Sequence, residues 1–427
     1  MKHYKDYRVI SLLSICMSAL RIIVGPITLL VLAKKMTSEE LGFYYTFFSL
    51  TAMTQLLEVG MTGVLRQYYS HSHDKKDCKQ KLSNYFIFSI YWYLALSFLF
   101  FIIGTVVPFI MYKDYQGDIQ WKNSWFLLLS VSCITLLLLP INAMLDGTQR
   151  QKLLIKANII SQLSVAVSLW FFIYAGCKLY ALGLSQFMGI FAFLISIFVL
   201  NKFSWRLLEL NYKSFHFNSV LVELWPLLKK TSIVWFLGYF YWNGFNILSF
   251  KYLGAEVAGL IGISIALMRA GQNISISVLN SQMTLYANSI AKGLVDESKR
   301  TFRKYFVFSF SMLLCGYGIF YLLYYIFPSF FLFKKILPFN QLIFISIFFI
   351  FTFLISGFEA FTRCFKVEKF IFTQLMNSIL TPFLFWLGIV FKLKYFLLPI
   401  ISVAIVMLMT IYISKKFYKG YMNEEGI

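Results

Sequence analysis

Apolar residues fall into twelve long runs along this chain, near 11–33, 41–65, 84–112, 125–145, 154–175, 180–200, 225–249, 256–288, 305–327, 341–361, 371–391 and 396–414. A run of about 20 apolar residues is long enough to cross a bilayer as a helix. The polar connections between runs are short, the longest hydrophilic gap being about 20 to 30 residues, so no aqueous domain is expected. The pattern predicts an all-α polytopic membrane protein with about 12 transmembrane helices. The first run, Ser11 to Ala33, carries Arg21 and shows no small-residue cleavage site, and reads as a retained helix rather than a signal peptide.

Charge then orients the runs. When the connections are assigned alternately to the two faces, the 1–10 tail and the loops at 66–82, 146–156, 201–230, 289–304, 362–369 and 415–427 hold 27 of the 39 Lys and Arg residues. The opposite loops hold ten, and the remaining two, Arg21 and Arg269, fall inside predicted helices. Basic loops stay in the cytoplasm, so both termini are expected there. The net charge of +21 is thus mainly a topology signal with affinity for anionic lipid headgroups, and no nucleic-acid partner is expected.

The chain also reads as a duplication. Met36 to Gly42 and Leu253 to Gly259 match at an offset of 217 residues, and the same offset lays Gln55 on Gln272, Thr135 on Thr352 and Asn142 on Glu359. This divides the chain into an N-terminal six-helix lobe, 1–213, and a C-terminal six-helix lobe, 214–427. Two parallel repeats of six helices suit a transporter with a central cavity between them.

Lipid offers no hydrogen bonds, so ionisable and amide groups at membrane depth must face protein or water. In helix 1, Ser14, Ser18, Arg21, Gly25 and Thr28 form one stripe. In helix 2, Thr51, Gln55, Glu58, Thr62 and Arg66 form a second. Helix 8 contributes Arg269, Gln272, Asn273 and Asn280, and helix 10 contributes Thr352, Ser356, Glu359 and Arg363. Helix 7 adds Asn243 and Asn246, with Trp235, Tyr239 and Trp242 near one another. The Ser and Thr positions also suit plain helix packing. Arg21 and Glu58 also suit a structural ion pair, the two tryptophans an interfacial belt, and Arg66 and Arg363 ordinary topology charges. Glu39 and Glu256 sit where a carboxylate favours a helix start.

No catalytic chemistry stands out. There is no GxxxxGK[ST] phosphate loop, carboxylates are rare, and the outer loops at 113–124 and 328–340 are short. The six cysteines have no CxxC or CxxH spacing, so no disulfide, metal site or cofactor is indicated. His71 and His73 are spaced for a metal but lie in a solvated basic loop. The pattern points to a carrier rather than an enzyme.

Residues 32–44, Leu-Ala-Lys-Lys-Met-Thr-Ser-Glu-Glu-Leu-Gly-Phe-Tyr, and residues 57–70, Leu-Glu-Val-Gly-Met-Thr-Gly-Val-Leu-Arg-Gln-Tyr-Tyr-Ser, resemble the opening of Wzx-type polysaccharide flippases, with their "peeyG" turn and "elGl…r…s" second helix. Those flippases share a superfamily with multidrug and toxin extruders and the lipid II flippase. The resemblance implies export of an undecaprenyl-diphosphate-linked oligosaccharide, of O-antigen or capsule type, across a bacterial plasma (inner) membrane, alongside a polysaccharide polymerase and a chain-length regulator. Arg21, Arg269, Arg66 and Arg363 then suit the diphosphate, because guanidinium binds such oxygens in bidentate geometry. Gln55, Gln272, Asn273, Asn243, Asn246, Trp235 and Trp242 suit sugar hydroxyls and ring faces. Glu58 and Glu359 are the candidates for ion coupling. A drug exporter of the same fold and a non-transporting scaffold of a glycan-assembly complex are the alternatives.

Overall fold

The computed structural model describes residues 2–72, 78–200, 215–365 and 367–424. His73 and the expected lobe boundary at 213/214 lie outside them. The described residues are helical throughout their regular structure, with no strand. Ten helices among them are long and apolar enough to cross a membrane. The chain is a multi-pass membrane protein. Two compact units can be distinguished, Met1–Tyr239 and Phe240–Ile427.

In the first unit, α1 (Lys2–Lys35) is followed by three short pieces, α2 (Ser38–Thr51), α3 (Met53–Glu58) and α4 (Met61–Ser72). Then come α5 (Cys78–Met111), α6 (Trp121–Gly147), α7 (Gln151–Tyr174) and α8 (Tyr180–Leu194), the last ending in a π-helical turn at Ile195–Leu200. α1 packs on α7, α7 on α8, and α6 on α4, α5 and α8. The stretch expected as one helix over 41–65 is therefore broken twice. Val59 and Gly60 both take positive φ, 48° and 82°, which ends α3. Thr37 starts α2 with a full capping box: its hydroxyl accepts from the Glu40 N–H, and the Glu40 carboxylate accepts from the Thr37 N–H at 2.9 Å. This reciprocal pair satisfies two of the four orphan donors at a helix start. Glu40, rather than Glu39, is thus the capping carboxylate. Glu39 instead accepts from the Tyr115 hydroxyl at 2.8 Å and so anchors the 112–120 loop. Desolvation, and then that bond, push the Tyr115 pKa up to about 12. Aromatic rings fill this end of the unit, with Phe47 against Trp125 at 5.1 Å and Phe43 against Tyr112 at 5.0 Å.

α9 (Phe217–Asn280) runs from the first unit into the second and is interrupted at Gly254 (φ 83°, ψ 171°). That backbone is open only to glycine, and it divides the 64-residue run into two passes, 217–253 and 255–280. With α2–α4 counted as one pass, this division accounts for twelve. The second unit continues with α10 (Met283–Ala291), α11 (Val295–Ile326), α12 (Phe339–Arg363), α13 (Ile371–Val390) and α14 (Leu397–Glu424). α14 packs on α12 and α13, and α10 on α11. One end of this unit is a cluster around Tyr286, Phe302, Phe361 and Phe365, with Phe302 stacked on Phe361 at 4.2 Å.

Candidate functional site

Two arginines sit deep in helices of strongly apolar sequence. Arg21 lies 14 residues before the end of α1, and Arg269 15 residues after the break at Gly254. At 1.5 Å per residue, each is roughly 20 Å along its helix from that point, well inside a hydrocarbon core of about 30 Å. An ionised group at such depth is costly unless it has a role or a partner.

In the second unit, the Arg269 guanidinium lies over the Trp242 ring, 4.2 Å from its centroid. Tyr241 meets the same indole edge-on at 4.7 Å. The Arg269 Nε is buried and has no hydrogen-bond partner among the described residues. Stacking on indole stabilises the cation and fixes its plane while leaving the Nε–H without an acceptor among the described residues. Of the amides expected from sequence to share this site, Gln272 and Asn243 are buried, Asn246 is half-buried and Asn273 is exposed. The Tyr241 hydroxyl pairs with Thr352 at 3.5 Å.

Arg363 differs. Its Nη2 lies 3.3 Å from Glu359 and its Nε 2.9 Å from Glu368, so its charge is already matched. Glu359 also accepts from Gln374 at 2.8 Å on the same oxygen, Oε2, while its Oε1 is buried without a partner among the described residues.

In the first unit, the helix 1 stripe turns toward α7. Arg21 Nε donates to Gln162 Oε1 at 3.4 Å, and the Trp170 indole N–H donates to Thr28 at 3.0 Å. Arg21, Thr28 and Gln162 line a crevice of about 260 Å³ between the two helices. Arg66 is paired with Asp146 at 3.1 Å.

Glu58 touches neither Arg21 nor Arg66, so the ion pair weighed for it from sequence is not formed. It sits at the break in helix 2, where its Oε1 accepts from the Thr62 N–H at 2.8 Å and the Tyr93 hydroxyl at 3.1 Å. Trp235 packs on the same break: a Cβ built on Gly60 would lie 2.6 Å from its indole nitrogen. Tyr239 donates to the Ser49 carbonyl at 3.0 Å, also on the broken helix. Gln55 is exposed on α3.

The structure thus brings Arg269 together with Trp242, and Glu359 with Arg363. It places Glu58 and Trp235 at a helix break. The sequence reading gave no site role to Gln162, Trp170, Tyr93 and Gln374, nor to a group of amides on α6, α7 and α8: Asn142, which entered only through the repeat, Asn158 and Gln186. These carry the signal that drew attention to helices 1, 2 and 8, an amide within an apolar run.

No protein family and no curated protein matches the sequence. Solved structures do. An inward-facing multidrug resistance MATE family transporter of the MOP superfamily superposes with a TM-score of 0.70 at 12% identity, over 96% of this chain and 99% of that one. The lipid II flippase MurJ in an inward closed conformation gives 0.60 at 14% identity, over 96% and 87%. A MOP superfamily transporter from Pyrococcus furiosus, described as having a binding pocket of reverse polarity, gives 0.56 at 12% identity, over 97% and 95%. The chain therefore has the fold that these transporters and this flippase share.

Proposed function

We propose that the protein is a flippase that moves an undecaprenyl-diphosphate-linked oligosaccharide, of O-antigen or capsule type, from the cytoplasmic to the outer leaflet of a bacterial plasma membrane. The observation that carries this reading is Arg269. It is a guanidinium deep in an apolar helix, oriented by Trp242, with a buried N–H that no described residue accepts. Such a group is built for an anion, and a planar fork suits phosphate oxygens. Arg21, bonded only to a neutral amide among the described residues, is a second cation at comparable distance along its helix. The likeness in fold to a lipid II flippase supports a lipid-linked cargo, and we take alternating access between inward-facing and outward-facing states as the mode of movement. Glu58 and Glu359 are the candidate proton sites.

The test is reconstitution in liposomes with one defined undecaprenyl-diphosphate glycan. Arg269→Ala should cut flipping by about 10- to 100-fold, the worth of one charge-assisted hydrogen bond. Arg269→Lys should keep part of it. Normal flipping by folded Arg269→Ala would refute the reading.

A second reading, export of a hydrophobic cation, is favoured by one observation: the buried, unpartnered Oε1 of Glu359. Transport of tetraphenylphosphonium that fails in Glu359→Gln and persists in Arg269→Ala would establish it instead.

A further inference from the structure

The first unit holds a polar pocket that none of the arginines lines. It measures about 220 Å³ and lies between α6, α7 and α8. Thr135 and Asn142 reach it from α6, Asn158 and Ser161 from α7, and Gln186 from α8, with Phe193 and aliphatic side chains completing the wall. None of its lining residues is ionisable. At roughly 30 Å³ per water, the space is several waters' worth.

Amides between membrane helices commonly serve as interhelical glue. Here they do not close on each other. Asn142 Oδ1 is buried without a hydrogen-bond partner among the described residues. The Ser161 hydroxyl donates to the Gly189 carbonyl at 2.8 Å and keeps its lone pairs for another donor. Gly189 lets α8 approach α7 closely beside the pocket: a Cβ there would run into Val165 and come within 3.3 Å of the Ser161 hydroxyl. A buried polar group left unmade costs about 1–3 kcal/mol, so a donor that reaches the Asn142 carbonyl is stabilised there.

The chemistry of the lining selects the ligand class. Asn and Gln side chains each present two N–H donors and one carbonyl acceptor. A wall that both donates and accepts matches groups that do the same, which hydroxyls are. The Phe193 ring suits the apolar face of a sugar ring. Val165 also lines the neighbouring crevice that holds Arg21 and Gln162, so a guanidinium stands near the neutral pocket.

We propose that this pocket is a subsite for the first sugar of the cargo, a neutral pyranose whose phosphate is taken by Arg21. The proposal rests on the flippase reading and adds to it a site within the first unit. Amides set the sugar preference there, and Arg21 supplies affinity common to all diphosphates.

The experiment compares binding of decyl diphosphate with decyl diphosphates bearing a single glucose, galactose or N-acetylglucosamine, to the full-length protein in nanodiscs by calorimetry. The wild type should bind at least one sugar-bearing probe about ten-fold more tightly than bare decyl diphosphate, the worth of one or two net hydrogen bonds. Asn142→Leu and Gln186→Met should bring that ratio to about one while leaving affinity for the bare probe unchanged. Arg21→Ala should weaken every probe and keep the ratio. Should Asn142→Leu not fold, as judged by its melting curve, the half-buried Gln186 position carries the comparison. A wild-type ratio near one overturns the subsite, as does a ratio that survives in folded variants. A melting temperature raised by sodium over choline, lost in the same variants, with no sugar preference, makes the pocket a cation site and also overturns it. No binding of any probe, bare diphosphate included, would defeat the flippase reading itself, which separates that failure from failure of the subsite alone.

Discussion

At the scale of single residues, Gly60 and Trp235 make the sharpest constraint in the first unit. Gly60 has φ +82°, and the indole nitrogen occupies the space beside its Cα. Gly60→Ala combines left-handed backbone strain with a steric clash, and should destabilise the protein by about 1–3 kcal/mol. In a Trp235→Ala background the clash is gone and only the backbone penalty, about 1 kcal/mol, should remain. Thermal melts of the two single variants and the double variant measure the difference; additive losses would mean that the indole does not press on Gly60. The arginines at the two candidate sites were legible in the sequence because a charge within an apolar run is conspicuous. Their partners were not. Nothing in the spacing says that Arg21 meets Gln162, 141 residues away, or that Trp242 takes the Arg269 cation, because both contacts depend on which helices pack together. The amides Asn142, Asn158 and Gln186 were as visible as Gln55 or Gln272. They were given no site role because they form no stripe on one helix: three different helices each supply one or two polar residues to the pocket.

At the scale of elements, the broken helix 2 shows where an apolar pattern misleads. The 41–65 run is long enough to span and its polar residues recur at helical steps, so one straight helix is the natural expectation. The structure instead ends α3 at Val59 and restarts α4 at Met61, and the Glu58 carboxylate accepts the Thr62 N–H that the break frees. The arrangement is held by tertiary contacts from Tyr93 and Trp235, which local sequence does not reveal. Glu58→Ala removes the acceptor for two donors and should cost about 1–2 kcal/mol, as loss of a helix cap does. Glu58→Gln keeps a carbonyl oxygen in place and should melt close to the wild type. Equal destabilisation by Ala and Gln would show that the negative charge, and not the acceptor geometry, holds the break. At the other end of helix 2 a helix-start carboxylate was expected at Glu39, and the structure instead forms the capping box with Thr37 and Glu40. The 217-residue offset carries Thr37 onto Gly254, so both copies of the matched segment fall where a helical pass begins.

At the scale of the whole molecule, the membrane-spanning helices were readable because bilayer thickness sets helix length so narrowly. Charge asymmetry between the loops gives an orientation as well: reporter groups fused at either terminus should be found on the cytoplasmic side. The membrane potential acts directly on the proposed cargo. An inside-negative potential drives an anion outward by about 2.3 kcal/mol per charge per 100 mV. A diphosphate carrying two charges gains about 4–5 kcal/mol per 100 mV from the field, so the outward step needs no proton. A proton site would then serve the return of the empty carrier, when the cationic groups have lost their anion. Glu58 is the candidate for that role, with both of its donors meeting Oε1 and none of the described residues donating to Oε2. In liposomes with the electrical and pH gradients imposed separately, flipping by the wild type should rise with an inside-negative potential and respond to the pH gradient. Glu58→Gln, folded and carrying a permanently neutral side chain, should keep the first response and lose most of the second. A pH response unchanged in Glu58→Gln would exclude Glu58 as the coupling site and pass the role to Glu359. A wild-type rate indifferent to the potential would mean that the cargo crosses with its charge fully neutralised by the protein.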